Sequence, residues 1–236
     1  MRTCQPTFPQ QLQQELSKPD YFNRQIDQAY VLLCSPATRV PLEEFHRDEA
    51  AALYGLTFAG EDLDAVRVAY TIQPQLESVE LYAIPCDIEE TILQFYPTAR
   101  FFASRAMLME RLLRYDEDTP VEGVRRVFLS PEEQGFSLYA FEGGHLRFAN
   151  SFVTENMADA LYYTLNAWQS LGHQALKDHL VLCAAAESDV AALHKALSEY
   201  VLHVDVVLHN DLVPRVPLSS ERQVPADLKA LLLNRL

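Results

Sequence analysis

Glycine is scarce in this chain, with 7 glycines against 13 prolines in 236 residues. Loops that wrap phosphate groups use glycine for its positive φ angles and for close backbone approach. A glycine-rich loop is therefore not expected to be the main ligand-binding element of this protein. Cysteine is also sparse: the four residues lie far apart, with no C-x-x-C pair and no Cys/His spacing of a zinc site. We expect reduced cysteines, no metal site and a cytoplasmic protein.

Basic residues and long apolar runs are the next shortages. The chain has 19 Lys and Arg against 33 Asp and Glu, a formal net charge of -14, which repels nucleic-acid backbones and anionic lipid headgroups. No apolar run approaches the ~20 residues of a membrane span, and the N-terminus lacks the apolar core of a signal peptide. We predict no nucleic-acid binding and no membrane insertion. The densest basic pair, Arg125 and Arg126, is typical of ordinary surface charge.

A repeated strand is the main positive signal. YVLLCS at 30–35 returns as HLVLCA at 179–184, and each copy lies between helix-like segments. Two copies of one strand-and-helix unit predict a duplicated α/β domain. The acidic run 116–118, closed by Pro120, is the best boundary candidate. We predict two domains, residues 1–118 and residues 119–236, the second ending in a C-terminal helix.

The first half is predicted from its hydrophobic pattern. Residues 36–41 contain Pro36 and Pro41 and read as a rigid connector, followed by a helix over 42–56. Alternating apolar and polar residues predict two strands at 66–72 and 78–84. Further helices are expected at 87–96 and 106–115.

The second half has a clearer pattern. Three strands at 124–130, 135–142 and 145–152 form a predicted antiparallel meander, whose second turn carries Gly143 and Gly144. A helix capped by Thr154 follows. The expected order then continues with a strand at 179–184, a helix at 189–200 and a strand at 201–208.

This order of elements is similar to that of a ribonuclease-H-like unit, the repeat that builds actin-like ATPases in duplicate. The motifs NSF at 150–152 and DALYY at 159–163 resemble an uncharacterised Bacteroidetes family, domain of unknown function 3822, over most of residues 28–210. The resemblance implies an α/β fold of two ribonuclease-H-like lobes with mixed sheets, and no established activity. Because the first half starts directly at a helix, three alternatives stay open: the first lobe lacks its opening strands, the chain starts late, or the strands within 66–84 compensate.

The phosphate-binding turn that this resemblance implies falls on residues 129–135. Pro131 has no N–H to donate, and Glu132 and Glu133 bring negative charge to the place where a phosphate would lie. Gly135 is the one glycine in the turn. An ordinary hairpin is therefore favoured over a phosphate loop.

A second element that the resemblance implies is a glycine pair after the repeated strand, where backbone would approach adenosine. Ala184 and Ala185 stand there instead, followed by Glu187 and Ser188, and alanine methyl groups narrow that approach. Asn150 is read mainly as a residue that satisfies backbone groups at a strand end, with ligand contact as the alternative. If a nucleotide binds, these are the candidate residues: Glu132, Gly135, Asn150, Ala184, Ala185, Glu187 and Ser188.

No catalytic residue is predicted, because the serines lack a nucleophile-elbow motif and the histidines lack metal-ligand spacing. We expect a non-catalytic interaction or scaffold protein with degenerate nucleotide-binding loops, no cofactor and an unknown protein partner. A narrower form is an assembly scaffold similar to the actin-like subunits of pilus and secretion machines. The alternative is a divergent nucleotide-binding protein, or an ATPase or kinase of the actin-like superfamily that uses Mg-ATP. Homo-oligomer formation stays open.

Overall fold

The computed structural model of the chain describes residues 7–18, 26, 28–132, 135–154, 156–212 and 226–235. The chain divides into two compact units. The first comprises Met1–Pro74 and Ser78–Ala106, and the second comprises Gln75–Glu77 and Met107–Leu236.

The first unit contains two small sheets. Its helices and strands are α1 (Phe8–Leu16), β1 (Tyr30–Leu33), β2 (Ala37–Pro41), α2 (Ala50–Thr57), β3 (Val66–Gln73), β4 (Ser78–Pro85), α3 (Cys86–Phe95) and β5 (Arg100–Ala103). Strands β1 and β5 pair in parallel, whereas β2, β4 and β3 form an antiparallel sheet in that order. The described residues before β1 contain α1 and no strand.

The three-stranded sheet of the first unit packs on helix α2. β4 is its central strand, and Val79, Leu81 and Ala83 project from one of its faces at the two-residue spacing of a strand. They bury against Ala50 and Tyr54 of α2. This cluster gives the first unit an apolar core of its own.

Strand β2 replaces the connector that the sequence predicts at 36–41. It pairs antiparallel with β4, and its prolines do not interrupt the pairing, because Pro36 precedes the strand and Pro41 is its last residue. The helix predicted over 42–56 is also shorter: two 3-10 turns, Leu42–Glu44 and Arg47–Glu49, precede α2. The first copy of the repeated strand is therefore followed by a strand and not by a helix.

The second unit is built on one five-stranded mixed sheet. Its elements are α4 (Ser104–Asp118, of which the residues from Met107 onward belong to this unit), β6 (Arg126–Glu132), β7 (Gly135–Glu142), β8 (His145–Val153), α5 (Met157–Ser170), β9 (His179–Ala184), α6 (Glu187–Leu197), β10 (His203–Leu208) and α7 (Ala226–Arg235). The strand order is β10-β9-β6-β7-β8. Antiparallel β6, β7 and β8 form the predicted meander, and β6, β9 and β10 run parallel.

The two faces of this sheet carry separate apolar clusters. On β6, Val127 and Leu129 point to the face covered by α5 and α6, whereas Phe128 points to the face covered by α4. Trp168 of α5 packs in the first cluster and Met109 of α4 in the second. Burial on both faces explains why β6 and β9 read as continuous apolar runs in the sequence.

Two expectations for the second unit need correction. The cap of α5 is Asn156, not Thr154: the Asn156 side chain accepts a hydrogen bond from the backbone N–H of Asp159. Helix α6 begins at Glu187 and ends at Leu197, whereas the sequence pattern placed it at 189–200. The predicted C-terminal helix is present as α7, and its expected last residue, Leu236, lies outside the described residues.

Arg125 and Arg126 are not ordinary surface charge. The Arg126 side chain pairs with Asp116 and donates to the carbonyl of Thr119, and only 9% of the residue is exposed. Arg125 pairs with the buried carboxylate of Asp178 at 2.9 Å. Both arginines stand where β6 begins: Arg126 connects the strand to the end of α4, and Arg125 connects it to the residue before β9.

The cysteines of the two units differ in their surroundings, and this difference predicts different reactivity. Cys183 is fully buried in β9, and burial raises the pKa of its thiol to about 12, whereas Cys34 is exposed. Because the thiolate is the nucleophile, iodoacetamide at pH 8 is expected to alkylate Cys34 in the folded protein and Cys183 only in denaturant. Peptide mass mapping measures both, with Cys34→Ser as the control. Labelling of Cys183 at the rate of Cys34 would contradict the buried position.

Candidate functional site

The carboxyl ends of β6, β9 and β10 meet at one edge of the five-stranded sheet, because these strands are parallel. Ligands of α/β proteins commonly bind outside the carboxyl ends of parallel strands. Six of the seven candidate residues lie at this edge or in the hairpin that extends it. We call this region the carboxyl edge.

The β6–β7 hairpin forms the first side of the carboxyl edge. Glu132 and Gly135 are paired residues across it, so the connection consists of Glu133 and Gln134, which lie outside the described residues. Pro131 precedes Glu132 in the ladder and provides no N–H. The described part of this turn is thus a strand pair with a very short connection.

The Glu132 carboxylate is engaged within the sheet. The hydroxyl of Ser137 donates a hydrogen bond to Glu132 Oε1, and the hydroxyls of Ser137 and Ser151 lie 2.6 Å apart. The three side chains share one face of three adjacent strands. This cluster gives the carboxylate a structural task and keeps a negative charge at the place where a phosphate would need donors.

Gly135 is required by packing. Its φ angle is +143°, and a Cβ at this position would lie 1.9 Å from the carbonyl oxygen of Phe152 on β8. The glycine therefore permits a close approach between two strands of the sheet. Its special conformation is accounted for without a ligand.

The turn from β9 to α6 forms the second side of the carboxyl edge. The Ala184 methyl is buried in the same apolar cluster as Val190 of α6, and the Ala184 carbonyl accepts a hydrogen bond from the His209 N–H at 2.9 Å. Ala185, Glu187 and Ser188 are exposed. The end of β9 is thus closed by packing against α6 and by the hydrogen bond from His209.

The N-terminus of α6 already holds a negative group of its own. The backbone N–H of Ala186 donates to Asp189 Oδ2 at 3.0 Å, and Ser188 Oγ donates to Asp189 Oδ1 at 3.3 Å. Glu187 adds a second carboxylate in the same turn. Helix N-termini attract anions, but two like charges 4 Å apart repel by about 1 kcal/mol in water and about 4 kcal/mol near a protein surface. The negative charge of these residues opposes a phosphate group at the start of α6.

Helix α7 forms the third side of the carboxyl edge. Lys229 is 1% exposed, and its ammonium group donates to Asn210 Oδ1 in the turn after β10. His209 lies in the same turn, and burial lowers the pKa of its imidazole, with Asp227 opposing this effect and Lys229 reinforcing it. The space beyond the carboxyl end of β10 is therefore filled by α7 and by the turn after β10.

Asn150 is not part of this region. It lies on β8, three strand positions from β9 in the order β9-β6-β7-β8, a separation of about 14 Å at the usual strand spacing. Its side-chain oxygen accepts a hydrogen bond from the N–H of Ser151 at 2.9 Å. The structure thus separates Asn150 from Ala184, Ala185, Glu187 and Ser188.

Four residues of the carboxyl edge were missed from the sequence: Asp189, His209, Asn210 and Lys229. Asp189 had a usable signal, because an acid three residues after a helix cap is typical of a capping box. Lys229 had a weaker one, a lone lysine among apolar residues of the last helix. The pairing of Lys229 with Asn210 has no local signal, since the connecting residues give no helix or strand pattern.

The histidines form one close pair that the sequence did not predict. His179 and His203 are partners in the parallel register of β9 and β10, their rings stack at 4.6 Å, and His179 Nδ1 lies 2.6 Å from Asp205 Oδ2. Over the described ranges, no group of three or more His, Cys, Asp or Glu is placed to hold a metal ion. In the same ranges no helix combines the length and the apolar composition needed to cross a bilayer.

Comparisons with known proteins identify the fold. The model of a family described as "Protein of unknown function (DUF3822)" matches residues 3–204. A crystal structure of a Bacteroides thetaiotaomicron protein with actin-like ATPase fold and unknown function is similar with a TM-score of 0.76 and 22% identity, covering 97% of this chain and 82% of that chain. A structure of the PilM-PilN type IV pilus biogenesis complex is similar with a TM-score of 0.52 and 13% identity, covering 95% and 82%. The comparison with curated proteins gave no match.

Proposed function

The chain belongs to the family described as "Protein of unknown function (DUF3822)" and has an actin-like ATPase fold, and from this premise we propose that it is a non-catalytic protein that acts through contacts with another protein. The observation that carries the proposal is the Ala186 N–H at the start of α6, which is bonded to Asp189. A nucleotide phosphate at this helix start would compete with the Asp189 carboxylate for that donor. Burial of the Ala184 methyl and the lack of an N–H on Pro131 support the same conclusion.

Protein contact is favoured over other functions by charge and by fold. The net charge of -14 opposes nucleic acid and anionic lipid surfaces. A solved structure of similar fold is part of the PilM-PilN pilus biogenesis complex, in which the actin-like protein has a protein partner. A scaffold role in an assembly is the narrower form of this proposal. Fold alone does not assign it, since one fold serves many functions.

A cytoplasmic location is part of the proposal. Cys34, Cys86 and Cys183 are free among the described residues, and reduced thiols are typical of a reducing compartment. Cys34 is exposed, where an oxidising environment would modify it.

The first test is a phosphate-release assay with purified protein and Mg-ATP. We expect no Mg-dependent release above the protein-free rate, because the Ala186 N–H is bonded to Asp189 and two carboxylates stand in the first turn of α6. Mg-dependent release by the parent protein would overturn the proposal, and its loss in Glu132→Gln would assign a catalytic carboxylate to the hairpin. Glu199→Gln is the matched control, since Glu199 is an exposed carboxylate outside the carboxyl edge.

A further inference from the structure

Strand β8 is the free edge of the five-stranded sheet. It is last in the strand order and pairs with β7 on one side, while no described strand pairs with its other side. At nine residues it is the longest strand of the sheet. An unpaired edge presents backbone N–H and C=O groups that can template a further strand.

The direction of these backbone groups follows from the hairpin register. Glu132 and Gly135 flank a two-residue connection, and such a pair exchanges both of its hydrogen bonds. Hydrogen-bonded and non-bonded pairs then alternate, so Phe136 directs its backbone groups toward β8 and meets Phe152 there. Phe152 accordingly directs its own N–H and C=O inward, toward β7.

The alternate residues of β8 therefore face outward. Ala149, Ser151 and Val153 direct their backbone groups away from β7. The Ser151 N–H agrees with this, because it donates a hydrogen bond to Asn150 Oδ1 at 2.9 Å. Asn150 thus acts as a local substitute for a strand partner, and this gives the Asn-Ser-Phe motif a physical role.

An exposed aromatic surface stands beside this edge. The rings of Phe136, Phe152, Tyr163 and Tyr162 follow one another at centroid distances of 5.2, 5.1 and 5.4 Å. We name Phe152, Tyr162 and Tyr163 the aromatic shelf. Tyr162 is 65% and Tyr163 37% exposed, and Val153 at the end of β8 is 79% exposed. Aromatic rings of this kind are enriched in protein interfaces.

The outer edge of β8 lacks protection in its second half. Natural edge strands are blunted by lysine, proline, bulges or inward charges. β8 has a bulge and the charged Arg147 in its first half, but residues 148–153 contain no charge and no proline. An unprotected edge next to exposed rings is typical of a site that receives an added strand.

The negative charge of the chain indicates which kind of partner would bind to this edge. Exposed carboxylates lie on the elements next to β8, namely Glu132 on β6, Glu142 on β7 and Asp159 on α5, and the one arginine of β8, Arg147, is paired with Glu142. A second copy of the chain would bring another charge of -14, which opposes association. A basic partner is attracted by the same field.

We propose that the outer edge of β8 binds an extended, basic segment of another protein as a sixth strand, with alternate aliphatic or aromatic side chains lying on the aromatic shelf. This proposal rests on the proposed function and names its contact surface. Backbone hydrogen bonds at Ala149, at Val153 and at the Ser151 carbonyl provide affinity, and the shelf provides specificity.

Two substitutions test the two parts of this surface, with a display library of random 12-residue peptides as the probe. Val153→Pro removes an outward N–H at an exposed strand end, and Val153→Thr is its control. Tyr162→Ala removes the most exposed shelf ring, and Tyr200→Ala is its control, since Tyr200 is 56% exposed elsewhere in the unit. We expect selected peptides to alternate apolar residues with Lys or Arg. Their Kd should rise at least tenfold in Val153→Pro and Tyr162→Ala and stay within twofold in both controls.

Hydrogen exchange supplies a second readout, with protection of the amides of Ala149 and Val153 expected on peptide binding. Selected peptides that bind Tyr162→Ala and Val153→Pro as tightly as the parent protein would overturn the proposal. A parent dimer in sedimentation that Val153→Pro dissociates would overturn it in favour of a second copy. Nucleotide turnover would refute the proposed lack of catalysis and leave this peptide result unchanged, so the two failures are distinguishable.

Discussion

Replacement of Gly135 by alanine is expected to lower the free energy of unfolding by about 3 kcal/mol or more. The added Cβ would lie 1.9 Å from the Phe152 carbonyl oxygen, which is backbone and cannot rotate away, and the φ of +143° is one that alanine rarely adopts. β7 and β8 would have to separate at the start of their ladder. Urea unfolding followed by circular dichroism measures the loss.

Gly143→Ala is the matched control for this prediction. Gly143 has a φ of +60° in the β7–β8 turn, but a Cβ there meets nothing within 4 Å. Only the left-handed conformation then contributes, at about 1–2 kcal/mol. Equal losses for the two variants would contradict the close strand approach at Gly135.

Replacement of Asp178 by asparagine is the second large effect, with an expected loss of about 3 kcal/mol. The carboxylate of Asp178 is buried and accepts hydrogen bonds from the Arg125 N–H at 3.1 Å, the Arg125 guanidinium at 2.9 Å and the Gln174 N–H at 2.7 Å. The amide side chain cannot accept all of these bonds and leaves Arg125 without its ionic partner. Chemical denaturation of both proteins at pH 7 measures the difference.

The pH dependence of Asp178 follows from its pKa. Burial raises the pKa of the carboxyl, but the hydrogen bonds from Gln174 and Arg125 outweigh this and hold it below the ordinary value. The unfolded state therefore binds more protons at this carboxyl than the folded state does. The contribution of Asp178 to the free energy of unfolding is complete above about pH 4 and is lost as pH falls through the folded pKa. The gap between parent and Asp178→Asn should narrow below about pH 4.

Asp205→Asn is the control for the contribution that loss of a charged partner makes to the Asp178→Asn effect. Asp205 pairs with His179, but its side chain is 51% exposed, and exposed pairs contribute about 0–1 kcal/mol. A loss at Asp205 as large as that at Asp178 would show that burial does not decide the effect.

Most of the second unit was predictable because its signals are local. β7 and β9 are given by runs of apolar residues, and the β7–β8 turn by Gly143 and Gly144, whose φ values of +60° and +81° are confirmed. The order of meander, helix, strand, helix and strand is also confirmed. Each of these signals lies within a few residues of the element it specifies.

The errors at the cap of α5 and at the ends of α6 are shifts of two or three residues, whereas the larger errors came from contacts between distant residues. β2 was read as a connector because Pro36 and Pro41 flank it, and only its pairing with β4 makes it a strand. The role of Arg125 depends on Asp178, 53 residues further along the chain. Propensity cannot supply such pairings.

The candidate site was predictable only where its signals are local. The replacement of glycines by alanines at 184 and 185 is visible in the sequence, and so is the negative charge of Glu132. The contact of Lys229 with Asn210 depends on where α7 packs, and the pairing of His179 with His203 depends on a parallel register. These contacts are set by tertiary structure.

A thermal-shift titration with Mg-ATP and Mg-ADP tests the closed carboxyl edge most directly. A ligand present at 100 times its Kd stabilises a folded protein by about 2.7 kcal/mol, which for a chain of this size is about 5 °C or more. A carboxyl edge closed by Asp189, Ala184 and Lys229 predicts a flat response up to millimolar nucleotide. A saturable rise in Tm would contradict it and make the protein a nucleotide-binding member of its fold.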